Sequence, residues 1–191
     1  MNKRAAKRYL WTLLPALLLG IQVCAAYAAN IDPAKGEYAK GTYTNKAPAF
    51  TVSLAEDWVA AAPQKNEIYR ITGQHPWKVP VAAMEIADKP QNAPALGSED
   101  AIKDYLNFLK KNEPQSANYK IEKKGVVTLK DGTKAMTLII RWDWTPTVEL
   151  ISAVLEAYKG DKIVYLICST VDAEGTSSDD MLNLLKTLEF K

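Results

Sequence analysis

Residues 119–171 read YKIEKKGVVTLKDGTKAMTLIIRWDWTPTVELISAVLEAYKGDKIVYLICSTV, and this stretch decides the fold. It divides into four runs of alternating character: Tyr119–Leu129, Thr133–Trp144, Val148–Tyr158 and Lys162–Thr170. A period of two is that of a β-strand. The joints carry turn chemistry: Asp131-Gly132, Thr145-Pro146-Thr147 and Lys159-Gly160-Asp161. Asp and Gly tolerate the positive φ that tight hairpins need, so the spacing predicts antiparallel strands. Val148–Tyr158 has an alternative, because Thr145-Pro146 also suits a helix start with Gly160 as its stop. A hairpin into Lys162–Thr170 favours the strand.

The strand centres are apolar on both sides. Met136, Leu138, Ile140, Trp142 and Trp144 share one face of the second run, and Ala135 and Ile139 the other. In the last run Val164, Leu166 and Cys168 oppose Ile163, Tyr165 and Ile167. A sheet wetted on one side alternates apolar with polar, so both faces of this one need a cover. Two amphipathic helices are available. Ser98–Lys111 opens on Ser98 as cap, with Glu99 and Asp100 at the positive end of the helix dipole. Its apolar stripe is Ala101, Ile102, Tyr105, Leu106 and Leu109. Ser178–Leu188 follows Ser177, which forms a capping-box-like pair with Asp180. The expected fold class is α+β: one antiparallel sheet with helices on both faces.

Upstream, Phe50, Val52 and Leu54 alternate with Thr51 and Ser53, and Glu67–Thr72 and Val79–Ala87 are further strand candidates. Residues 29–48 are polar and glycine-containing and read as a flexible leader with at most one short edge strand. The chain starts with Lys3, Arg4, Lys7 and Arg8, continues through apolar Leu10–Val23, and reaches Ala26-Tyr27-Ala28. This is the pattern of a secretory signal with cleavage after Ala28. The alternative is an uncleaved membrane anchor, against which stand Pro15, Gly20 and Gln22 and the shortness of the run. Gln22 and Val23 before Cys24 do not resemble a lipobox. The expected organisation is a signal at 1–28, a leader at 29–48 and one domain at 49–191, periplasmic or secreted, with no stable membrane span once the signal is removed.

The formal charge of +2 belongs to the signal. Without its four basic residues, 20 basic residues face 22 acidic ones, a net of −2. A nearly neutral body offers no electrostatic case for nucleic acid. Cys24 leaves with the signal, so Cys168 stands alone and reads as a buried small hydrophobe rather than a nucleophile. His75 is the one histidine, and no CxxC, HExxH or Gly-rich phosphate loop is present, so neither a metal nor another cofactor is expected.

The candidate ligand residues are Trp142, Asp143 and Trp144, with His75 and Trp77 in the loop 73–77. Two indoles on one strand face around a carboxylate can stack on a sugar ring, with Trp58 and Trp77 as helpers. The competing reading places Trp142 and Trp144 in the core under a helix, where aromatics at period two usually belong. Asp143 and Arg141 then form a surface pair. Asp172, Glu174, Asp179 and Asp180 give only a fragment of a calcium loop and are explained by helix capping.

Several landmarks occur together: Phe50-x-Val52-x-Leu54, Asp57-Trp58, a mid-chain helix, Asp131-Gly132-Thr133-Lys134-Ala135, the Tyr158–Thr170 hairpin, and a last helix running into Leu188-Glu189-Phe190. Their order resembles the PsbP-like sandwich, a superfamily that includes the PsbP subunit of photosystem II, a Ran-GTPase-binding protein and bacterial DcrB-like envelope proteins. The resemblance spans 49–191. It implies an accessory or binding role without a shared catalytic constellation, and no site residue carries over from it. The export pattern resembles the bacterial envelope branch. The function expected from sequence is therefore a non-enzymatic periplasmic accessory or binding protein with an envelope protein as partner. The alternatives are a glycan-binding module using exposed Trp residues and a periplasmic hydrolase, the latter without a recognisable pair of acids.

Overall fold

A computed structural model describes residues 36–61, 63, 67–72, 81–171 and 177–191. The expected signal, 1–28, lies outside them. The elements are β1 (Gly36–Ala39), β2 (Thr42–Lys46), β3 (Ala49–Ser53), β4 (Val59–Ala61), β5 (Glu67–Thr72), β6 (Val81–Asp88), α1 (Glu99–Asn112), β7 (Ala117–Thr128), β8 (Lys134–Thr145), β9 (Val148–Lys159), β10 (Lys162–Val171), α2 (Ser178–Leu185) and β11 (Glu189–Phe190).

The run 119–171 forms β7 to β10, each antiparallel to its neighbours. Val148–Lys159 is a strand, held on one side by β8 and on the other by β10, so the helical alternative fails. Pairing on both sides satisfies its backbone as fully as a helix does, and the turns select it. Gly160 takes φ 60° at the first position of its two-residue turn, which matches a II′ hairpin.

The expected single sheet is two. Seven strands run in the order β4-β5-β6-β10-β9-β8-β7, and a smaller sheet runs β1-β2-β3-β11. Part of the expected leader is therefore structural. Residues 36–46 supply β1 and β2, and Tyr43 and Asn45 are buried there, joined by a hydrogen bond of 2.8 Å. Burial of Tyr43, Phe50 and Val52 offsets the entropy of ordering this polar stretch. The last helix stops at Leu185 rather than Leu188. The Thr187 hydroxyl accepts from the Ser53 amide (2.8 Å) and donates to the Leu184 carbonyl (2.6 Å). A hydroxyl that bonds locally competes with the helix ladder, and the chain turns into β11.

Two apolar clusters result. One joins Ala101, Ile102, Tyr105 and Leu109 of α1 to Met136, Leu138, Ile140, Val154, Ile163 and Tyr165. The other joins Tyr43, Phe50 and Val52 of the small sheet and Met181, Leu182 and Leu185 of α2 to Ala135, Ile139, Leu155, Leu166 and Cys168. The even- and odd-numbered positions of β8 separate into the two clusters, as its alternation predicts. Both helices are capped by the expected serines: Ser98 accepts from the Ala101 amide (3.2 Å), and Ser177 from the Asp180 amide (3.1 Å).

Gly36 is where the small sheet tolerates no side chain. A Cβ there would stand 2.4 Å from the Tyr43 hydroxyl oxygen and 2.6–2.7 Å from its ring carbons. Tyr43 is fully buried and cannot swing away. Gly36→Ala should lower stability by about 1–3 kcal/mol, read as a shifted urea midpoint at constant slope.

Candidate binding site

The connection between β6 and α1, residues 89–98, is laid against the sheet. The Lys89 amide donates to Asp161 O (2.7 Å), the Tyr158 hydroxyl to Pro94 O (3.1 Å), and the Ser98 amide to Ala95 O (3.0 Å). Gly97, at φ 79°, lets the chain approach β7, where a Cβ would meet Val126 Cγ2 at 2.4 Å. An open cleft of about 660 Å³ lies between this connection and β7, with Ala95, Leu96 and Val126 on its walls and Lys89 and Lys134 beside them. Tyr158 separates it from a smaller pocket of about 150 Å³, over which Asp104 and Tyr105 of α1 stand.

Strand order brings Glu156 and Tyr165 together on the lining of that inner pocket, with Glu85 next in their row but off the lining. Tyr165 of β10 is directly opposite Glu85 of β6 on one side and Glu156 of β9 on the other, so the three side chains form one row on one face. Glu156 is only 3% exposed. Burial pushes its carboxyl up to about 7, the Asp104 charge adds to this, and the Tyr158 hydroxyl partly opposes it. Burial also raises the phenols of Tyr158 and Tyr165, helped by Glu156, and raises that of Tyr105, so all three remain neutral near pH 7. The Tyr105 hydroxyl is buried and has no hydrogen-bond partner among the described residues.

The residues singled out from sequence fall elsewhere. Trp142 is 5% exposed; its indole Nε1 donates to Ser152 Oγ (2.9 Å), and its ring stacks on Tyr119 with centroids 5.9 Å apart. Trp144 is 44% exposed, and the β8–β9 register shifts between Asp143 and Thr145, which re-aims the strand end. The two indoles therefore do not make one platform. Trp58 is buried in the core cluster that holds α2. Asp143 Oδ2 accepts from Asn118 Nδ2 (2.6 Å), and Arg141 pairs with Glu122 (2.6 Å) and Glu149 (3.1 Å), which replaces the expected Arg141–Asp143 pair. Period two put Arg141 and Asp143 on one face, but carboxylates on the adjacent strands take the guanidinium. His75, Trp77, Asp172 and Glu174 lie outside the described residues. Asp179 pairs with Lys123 (2.7 Å). Cys168 is buried and its thiol is pushed up to about 12 by desolvation, the condition of a core residue rather than a nucleophile. Among the described residues no three His, Cys, Asp or Glu side chains gather to hold a metal ion.

Sequence reasoning passed over the Glu85–Tyr165–Glu156 row. Its signal was a lone acid inside each of two apolar runs, Ala82–Ile86 and Ile151–Ala157. A charge at such a position is costly to bury and marks a site more sharply than an aromatic does.

No family model matches the chain, and no curated protein matches its sequence. Solved structures do match its fold. Cyanobacterial PsbP (CyanoP) from Synechocystis superimposes with a TM-score of 0.59 at 9% identity, over 85% of this chain and 96% of that one. The Ran-binding protein Mog1p of Saccharomyces cerevisiae gives 0.56 at 8% identity, over 81% and 95%. A protein of Bacteroides thetaiotaomicron gives 0.51 at 12% identity, with 81% of this chain covering 49% of that one. The chain has the PsbP-like fold.

Proposed function

We propose that this chain, built on the PsbP-like fold, is an exported, non-enzymatic accessory protein of the bacterial envelope that holds a partner protein in the cleft beside β7. The cleft carries the reading. It is open, mixes apolar wall with lysine, and borders β7, the last strand in the sheet order, whose outer edge pairs with no other strand among the described residues. The signal pattern at 1–28, which resembles that of the bacterial envelope branch, supports an envelope location. In this reading α1 roofs one face of the large sheet, while α2 and the small sheet roof the other. Mog1p is by name a Ran-binding protein, and a binding role on the same fold is consistent with this one. Among the described residues no helix is long and apolar enough to cross a membrane. If residues 1–28 are removed on export, the exported protein begins at Ala29 by intact mass; retention of the full chain favours the anchored alternative. A glycan-binding role would rest on Trp144 without Trp142.

Filling the cleft tests the reading. Ala95 is exposed on its wall. Ala95→Trp should reduce recovery of the envelope partner with tagged protein by about tenfold or more, the scale of a central contact. Asn183→Trp, on the exposed side of α2, should leave recovery unchanged. Equal recovery with Ala95→Trp removes the cleft from the account.

A further inference from the structure

We propose that the inner pocket binds the head of a primary alkylammonium ion, with the Glu156 carboxylate as counter-ion and the rings of Tyr105, Tyr158 and Tyr165 as walls. The pocket's volume of about 150 Å³ is the space of about five water molecules at ~30 Å³ each. That suits an ammonium with a short alkyl stem. Asp88, Asp104 and Glu156 line it, and no basic side chain does among the described residues. Aromatic faces attract cations through their quadrupole. Tyr158 already shows this on its cleft side, where Lys89 Nζ lies 5.4 Å from the ring centroid.

The N–H groups decide the type of cation. A buried carboxylate needs donors, and the unpartnered Tyr105 hydroxyl oxygen, in a side chain only 1% exposed, can accept one. A primary ammonium supplies three donors, whereas a quaternary one supplies none. A metal ion needs several converging ligands, and among the described residues no three His, Cys, Asp or Glu side chains come close enough together to hold one. The groups around Glu156 are Asp104 and Tyr105 from α1, Asp88 from β6, which pairs with Lys162 of β10, Tyr165 from β10 and Tyr158 on its own strand; Glu85 of β6 lies beyond Tyr165 in the same row, and Lys89 stands on the cleft side of Tyr158. A bound cation favours ionised Glu156, so binding releases a proton near neutral pH and tightens as pH rises. An alkylammonium stays charged throughout this range.

Calorimetric titration of the purified protein with n-butylammonium chloride tests this independently of any partner protein. The expected result is saturable one-site binding at pH 8, about tenfold weaker at pH 6. Glu156→Gln should weaken it by about tenfold or more, and Tyr105→Phe by a few-fold. Tetramethylammonium should bind about tenfold more weakly than n-butylammonium. A peptide, acetyl-Gly-Lys-Gly-amide, separates two sources of the same head. Tighter binding than n-butylammonium identifies a protein lysine, and weaker binding identifies a free amine. No saturable heat from folded protein, unchanged binding by Glu156→Gln, or preference for tetramethylammonium would each overturn the proposal.

Discussion

Trp142→Ala should cost about 3–5 kcal/mol of stability, while Trp144→Ala two residues away should stay within about 0.5 kcal/mol. The contrast follows from what each indole touches. Trp142 is buried among the residues packed on α1, stacks on Tyr119, and gives its N–H to Ser152, which lies 2.8 Å from Ser169 Oγ. Truncating it opens a cavity and removes one of the two hydrogen-bond partners of the buried Ser152 hydroxyl, leaving Ser169. Trp144 is half in solvent beyond a register shift, so its truncation leaves no void. Urea titrations with unchanged slope measure both. Equal and small losses would place Trp142 on the surface and restore a two-indole platform.

Glu156→Gln should stabilise the protein by about 3 kcal/mol at pH 8 and change it little at pH 4. In the unfolded chain Glu156 titrates near its ordinary 4.5, and in the folded protein at about 7. Between these values the folded state keeps a proton that the unfolded state has released. Stability therefore falls as pH rises through that window, and the loss is complete above pH 7. Below pH 4.5 the carboxyl is protonated in both states and contributes nothing. Glutamine keeps the shape and never ionises, so the variant escapes the loss. Thermal unfolding at pH 4, 6 and 8 reads it as a gap between variant and parent that widens with pH. A gap of constant size, or a variant less stable at pH 8, would mean that Glu156 is ionised and satisfied in the fold. The stability of this variant also means that any loss of alkylammonium binding in it is not a loss of folding.

The large sheet was legible because its signals are local. Asp131-Gly132 and Lys159-Gly160-Asp161 mark their own turns, and Ser98 and Ser177 mark their own helix starts. The small sheet was not legible. β2, Thr42-Tyr43-Thr44-Asn45-Lys46, carries one large apolar residue, and β11 is two residues long. Their partner β3 pairs with both, and β11 joins it from the far end of the chain, with Phe190 opposite Phe50. That pairing is a tertiary fact with no short-range signature. Trp142 and Trp144 share a face by period two, and only the register shift at Asp143 separates their fates. The inner pocket depends on strand order. Glu85 and Glu156 come from strands distant in sequence and flank Tyr165 because β10 lies between β6 and β9. Each acid was visible as an interruption in an apolar run; their convergence was not.

Photo-cross-linking in the intact envelope decides whether the cleft is where this protein does its work. A photoreactive side chain at Ala95, exposed on the cleft wall, is compared with one at Asn183, exposed on α2. A partner seated in the cleft gives one discrete envelope-protein adduct from Ala95 and none from Asn183. No adduct from Ala95, or the same adduct from both positions, contradicts it.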